Sequence, residues 1–204
     1  MTLTTGVTAW IAWAAAGAPI PGETESGDGY LVLPREQRTV IAVMDGLGHG
    51  PEAHEATNAA IATIAQIPDA PLLTWFEACN EALHRTRGVV MTIASIAKDG
   101  QMEWLGVGNV EAIVVRSALP NQHEGVLARG GVVGWRLPSL RLRDSRLDTG
   151  DLLVMATDGI RADFASSIDP TLAPDVIASA ILQQSGRGND DALVVVARYG
   201  GDRG

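Results

Sequence analysis

The chain alternates between short apolar runs and clusters of glycine, proline and aspartate. Residues 30–33 (YLVL) and 39–44 (TVIAVM) are β-rich runs parted by the polar turn PREQR, the spacing of a hairpin. The period then changes. Residues 51–66 (PEAHEATNAAIATIAQ) have helical composition and spacing, with Pro51 suited to a first helical turn and Gly50 at the cap position. The breaker IPDAP follows, and the pattern predicts a second helix over 72–85, closed by Gly88. Beyond it the strand pattern returns. The runs at 89–97 (VVMTIASIA), 102–108 (MEWLGVG), 111–117 (EAIVVRS) and 125–130 (GVLARG) are separated by DG, GN and PN turn signals. A polar strand at 139–147 (SLRLRDSRL) leads through DTGD to LLVMAT at 152–157. Residues 173–184 read as a last helix and 192–199 (ALVVVARY) as a last strand. Near the start, VTAWIAWAAAGAP reads as one strand entering the sheet, followed by a turn from Pro19 to Gly22.

Most of these strands follow one another without a helical crossover. That order predicts antiparallel sheets with helices packed outside, an α+β layered domain rather than a doubly wound parallel one. No internal repeat and no linker divides the sequence, so 1–204 reads as a single domain.

Composition narrows the function. A net charge of −9 argues against nucleic acid as the main partner, because phosphate contacts need clustered Lys and Arg. The apolar N-terminal stretch is too short to span a bilayer, and no Lys or Arg precedes it as in a signal peptide. No membrane partner is therefore expected. The one cysteine, Cys79, cannot form an internal disulfide, which points to a cytoplasmic, disulfide-independent protein. Cys79 lies in an amphipathic helical pattern and reads as a packed, inert thiol.

Four stretches share one character: ESGDGY (Asp28), VMDGLGHG (Asp45), VMATDGI (Asp158) and GNDDALVVV (Asp190 and Asp191). Each sets an aspartate beside glycine or a second acid, next to an apolar strand. Any single one is accounted for by Asp-Gly turn chemistry. Four in one chain point to strand ends that deliver carboxylates to a common place. Such a cluster repels itself unless cations occupy it. Hard divalent ions with oxygen ligands, Mg²⁺ or Mn²⁺, suit it, and no His/Cys set has zinc spacing.

These motifs resemble the metal-dependent protein phosphatase (PPM) family in its bacterial SpoIIE-like branch. The resemblance rests on Gly27-Asp28, on Asp45-Gly46 within DGLGHG, on Asp158-Gly159 within ATDGI, and on Asp190-Asp191 in NDDA. It runs in order from about residue 20 to 198, and GVGN (Gly106 to Asn109) looks like a glycine turn of the same family. The short chain and the PIPGE–SGD start are similar to compact members of the branch that act on stressosome proteins. The resemblance implies a four-layer α-β-β-α sandwich of two antiparallel sheets flanked by helices, with a binuclear Mn²⁺ or Mg²⁺ centre at one edge. Asp45 matches the acid bridging both metals, and Gly46 the position whose carbonyl is a ligand. Asp28 matches a second-metal or water-mediated acid, and Asp158 and Asp190 two acids on the other metal. Asp191 and His49 match no direct ligand and are candidates for the surrounding layer or for phosphate.

The implied reaction is hydrolysis of phosphoserine or phosphothreonine by metal-activated water, with Asp45, Asp158 and Asp190 as the catalytic acids. The implied substrates are phosphorylated STAS-domain stressosome proteins, in a feedback role on stress signalling, and a monomer is expected. Two other readings stay open: a phosphatase-like binding module, and a metal-dependent hydrolase of a small phosphate ester. The chain has no arginine directly before the Asp28 motif. Arg35, Arg38 and Arg129 are substitutes for phosphate contact only if folding brings them close. Segments 117–124 and 161–172 are candidate docking surfaces for a phosphoprotein, and Trp75, Trp104 and Trp135 read as core or rim residues.

Overall fold

The computed structural model describes residues 1–119, 123–126 and 128–201. The described residues form eleven strands. They are β1 (Thr2–Val7), β2 (Ile11–Ala18), β3 (Asp28–Pro34), β4 (Arg38–Gly46), β5 (Val89–Ala97), β6 (Gln101–Val107), β7 (Glu111–Val115), β8 (His123–Gly125), β9 (Arg143–Arg146), β10 (Leu152–Ala156) and β11 (Ala192–Tyr199). Three helices, α1 (Pro51–Gln66), α2 (Leu72–Ala82) and α3 (Pro174–Ser185), complete the layers with a 3-10 helix at Ala162–Ser167. One sheet has the order β1-β2-β11-β10-β7-β8 and the other β3-β4-β5-β6-β9. All these pairings are antiparallel.

The apolar runs are continuous because the central strands are covered on both faces. Along β4, Ile41 and Val43 pack into the core between the sheets, while Val40, Ala42 and Met44 face α1 and α2. Along β11, Leu193, Val195 and Ala197 point into the same inter-sheet core. Val194 and Val196 pack against Ile177 and Ile181 of α3. The layers are therefore helices, sheet, sheet, helix, as the sequence pattern and the family resemblance imply. Trp75 and Trp104 are fully buried in this packing.

Several boundaries differ from the sequence reading. The N-terminal stretch is a hairpin rather than one strand. β1 pairs with β2 in register from Thr2↔Gly17 to Val7↔Ala12, and its polar, mostly exposed residues carry no apolar signal. α2 stops at Ala82, three residues before the expected end. There the Leu83 N–H bonds back to the Cys79 carbonyl, and Thr86 turns the chain back onto the Leu83 carbonyl. Of the strand expected at 139–147 only Arg143–Arg146 pairs, and of the run at 125–130 Leu127 lies outside the described residues. The 3-10 helix was not anticipated. Cys79 is buried among apolar side chains, which pushes its thiol up to about 12 and leaves it unreactive. Among the described residues, no helix is long and apolar enough to cross a membrane.

Candidate metal centre and substrate cleft

The acids sit where strands end, and sheet packing brings those ends together. Asp45 is the penultimate residue of β4 and lies in register opposite Asp28, the first residue of β3. Asp158 follows β10 by two residues and Asp190 precedes β11 by two, on neighbouring strands of the other sheet. Asp45, Asp158 and Asp190 line one cleft of about 840 Å³ together with His49, Asn109 and Asn189. Asp28 lines a second, smaller cleft of about 380 Å³, beside Ser26 and His54.

The electrostatics follow from this crowding. Burial, and then the charges of Asp158, Asp190 and Asp191, push Asp45 up to about 7. Asp28 is raised well above the usual carboxylate range, first by burial and then by Asp45, with smaller contributions from Asp191 and Asp158. The Thr157 hydroxyl, which donates to Asp28 Oδ2 at 2.7 Å, opposes that rise.

A second set of contacts braces these acids. Asp191 is buried and accepts two backbone N–H bonds, from Ile20 at 2.8 Å and Gly27 at 2.7 Å. The Gly27 carbonyl in turn accepts from Gly46 N at 3.0 Å and from the Thr57 hydroxyl of α1. A chain of bonds thus links the Asp190-Asp191 loop to the Asp45-Gly46 loop. Asn109 donates to Asp158 Oδ2 at 2.7 Å, and the Asp191 N–H donates to Asp190 Oδ1 at 2.9 Å. His49 is exposed at the cleft, its Nδ1 3.4 Å from Glu23 Oε1.

Two glycines are required by close approach. A Cβ on Gly46 would fall 2.3 Å from the Ala53 carbonyl oxygen, so the first turn of α1 packs directly on the strand end. A Cβ on Gly159 would fall 1.9 Å from the Asp191 carbonyl oxygen. Gly46 therefore lets α1 pack on the Asp45 strand end, and Gly159 lets the Asp158 loop pack on the Asp190-Asp191 loop.

The sequence reading missed the side-chain contacts of Thr157, Asn109 and Glu23. Thr157 and Asn109 stood in plain view in ATDG and GVGN, but their partners are 129 and 49 residues away. Two proposed phosphate arginines are ruled out by position. Arg38 begins β4, at the opposite end from Asp45, where it bonds Asp69 and the Ala70 carbonyl and lies over the Trp75 ring at 5.1 Å. Arg35 donates to the Ile67 carbonyl at the far end of α1. Arg129 lies beside the cleft, its backbone bonded to Gly106 and Gly108.

The donor chemistry fits a hard divalent cation. The crowded groups are carboxylates, and a double positive charge would offset the burial and the repulsion that raise Asp45. Among the described residues no three His, Cys, Asp or Glu side chains form a ready-made cage for a metal ion.

A sequence model of the Stage II sporulation protein E (SpoIIE) family matches residues 35–200. The chain belongs to the SpoIIE family. The matched span takes in the loops of Asp45, Asp158 and Asp190, and leaves Asp28 just outside it. Phosphoserine phosphatase RsbX of Bacillus subtilis (strain 168) is 21% identical over 179 residues, covering 87% of this chain and 89% of the relative. A solved RsbX in complex with magnesium superposes with a TM-score of 0.87 at 20% identity, over 97% of this chain and 100% of that one. A chain from structural work on the bacterial stressosome, as a modular system adapted to control secondary messenger signalling, gives 0.82 at 28% identity. It covers 97% of this chain and 100% of its own.

Proposed function

We propose that this serine/threonine protein phosphatase hydrolyses phosphoserine or phosphothreonine of a protein substrate in the 840 Å³ cleft, with residues 1–204 acting as one catalytic domain. Asp45, Asp158 and Asp190, with the Gly46 carbonyl, would hold two divalent cations, Mn²⁺ or Mg²⁺, and Asp28 would act from the second metal or through water. The observation that carries this reading is the convergence of Asp45, Asp158 and Asp190 from three separate strand ends on one open cleft. Membership of the SpoIIE family supports it independently.

Such cations, when bound, supply an acidified water and neutralise charge on the phosphoryl oxygens. The chain's own part is positioning. Asn109 holds one oxygen of Asp158 and leaves the other free, and the Asp191 N–H does the same for Asp190. Thr157 fixes one oxygen of Asp28. Asp191 acts through the backbone, tying the Ile20 and Gly27 loops to β11 so that the two sheet ends stay in register. His49, which lines the cleft beside Glu23, would meet a phosphoryl or leaving-group oxygen.

The substrates proposed are phosphorylated STAS-domain proteins of a stressosome, acted on in the cytoplasm as feedback on stress signalling. The likeness to RsbX and to the stressosome chain supports that assignment. The test is dephosphorylation of a phosphoserine-bearing STAS-domain protein with Mn²⁺ present. Release of phosphate that stops in EDTA is the expected result. Turnover of aryl phosphates but of no phosphoprotein would replace this reading with a small-ester hydrolase.

A further inference from the structure

The segment 129–143 (RGGVVGWRLPSLRLR) has a composition unlike the rest of the chain. It carries four arginines and no acid in a protein of net charge −9. Arg129, Arg136, Arg141 and Arg143 are all exposed, and among the described residues none of their side chains has a hydrogen-bond or ion-pair partner. Between them Trp135 is 72% exposed, the most exposed large aromatic among the described residues.

This segment has little regular structure but is firmly held. Val133 exchanges both backbone bonds with Val89 of β5, at 3.0 and 2.8 Å. Asn80 of α2 accepts the Gly134 N–H at 3.0 Å, and His84 Nδ1 lies 3.0 Å from the Gly134 carbonyl. The chain doubles back between Val132 and Arg136, with Trp135 beside the tip. Leu137, Leu140 and Leu142 pack against the core cluster that contains α2, while Arg136, Arg141 and Arg143 beside them are exposed. The segment starts at the catalytic cleft, which Gly130 and Val132 line, and ends by pairing β9 to β6. It therefore forms a basic track with one aromatic anchor, running from the cleft mouth along the edge of the second sheet.

We propose that this track docks the acidic surface of the phosphoprotein substrate, with Trp135 as the packing anchor and the arginines as charge partners. The inference rests on the phosphatase reading of the cleft. Three features support this occupant. Unpaired guanidinium groups on an otherwise anionic protein complement carboxylates, and would repel a basic flank. A rigidly presented exposed Trp is the residue type that anchors protein interfaces. Continuity with the cleft puts the track where sequence flanking a phosphorylated residue would lie. The two segments suggested by sequence alone are weaker candidates. Residues 120–122 of the first lie outside the described residues. In the second, Arg161 is already bonded to the Gln184 carbonyl and lies 3.4 Å from Asp163.

The test compares phosphoserine peptides with acidic, neutral or basic flanks, and uses p-nitrophenyl phosphate as a substrate too small to reach the track. The acidic-flanked peptide is expected to show the lowest KM, and that preference should shrink as salt rises. In a W135A/R136E/R141E variant its KM should rise about tenfold, while kcat and p-nitrophenyl phosphate turnover stay unchanged. Equal KM values for the three peptides, or an unchanged KM in the variant, would overturn the proposal. Loss of p-nitrophenyl phosphate turnover by the wild-type protein would instead refute the phosphatase reading on which it rests.

Discussion

Replacing Asp45 with Asn should stabilise the metal-free protein while abolishing its metal response. The carboxylate is raised from an ordinary 3.8 to about 7 by burial and by three neighbouring aspartates. In the unfolded chain it titrates near its ordinary value. Between about pH 4 and 7 the folded protein therefore binds more protons at this site than the unfolded one, and stability falls as pH rises through that window. Above pH 7 both forms are ionised and the whole penalty applies. A shift of roughly three units corresponds to at most about 4 kcal/mol. Water reaches the cleft side of Asp45 and relaxes part of that cost, so about 2 kcal/mol is the working figure. Asn keeps the shape and removes the charge. In EDTA at pH 8, urea denaturation should find the Asp45→Asn protein more stable by about this amount, a rise in Tm of roughly 4–8 °C for a chain of this size. At pH 4 the difference should vanish. Mn²⁺ should then stabilise the wild type and leave the variant nearly unchanged. A variant less stable than wild type in EDTA at pH 8 would refute the claim that like-charge crowding and burial govern this site.

Other perturbations probe the bracing contacts. Asn109→Ala frees Asp158 Oδ2, and the Mn²⁺ concentration for half-maximal activity should rise by about 10–100-fold with the fold intact by circular dichroism. Asp191→Ala strands the Ile20 and Gly27 N–H groups, and should cost about 2–4 kcal/mol in denaturant titration as well as lowering activity. Gly159→Ala forces a Cβ into the Asp191 carbonyl, so the DGI and NDD loops must separate. A loss of about 2 kcal/mol or more, with weakened Mn²⁺ binding by calorimetry, is expected.

The sandwich was legible where strands are buried on both faces. TVIAVM and ALVVVARY are continuous apolar runs because one face meets the other sheet and the opposite face meets a helix. β1 was illegible for the converse reason, since TLTTGV is an exposed edge strand with almost nothing to bury. Segment 139–147 carries strand-like alternation, but Leu140 and Leu142 pack against the helix-covered cluster while Leu147 enters the core between the sheets, and only four residues join a ladder. At the site, each acid announced itself by standing beside a strand end. The contacts that orient the acids did not. Thr157 meets Asp28, and Asn109 meets Asp158, only after the two sheets stack, and no local pattern encodes either pair. The division of the acids between two clefts is likewise a product of packing, because Asp28 and Asp45 oppose each other in register yet line different cavities.

The central claim is that the Asp45, Asp158 and Asp190 cleft hydrolyses phosphate esters with divalent metal. The most direct test is p-nitrophenyl phosphate hydrolysis against increasing Mn²⁺, for wild type and Asp45→Asn in parallel, with metal binding measured by calorimetry on the same samples. The account expects saturable, Mn²⁺-dependent turnover in the wild type, lost in the variant together with tight metal binding. Equal turnover by the two proteins, or wild-type turnover that persists in EDTA, would contradict it.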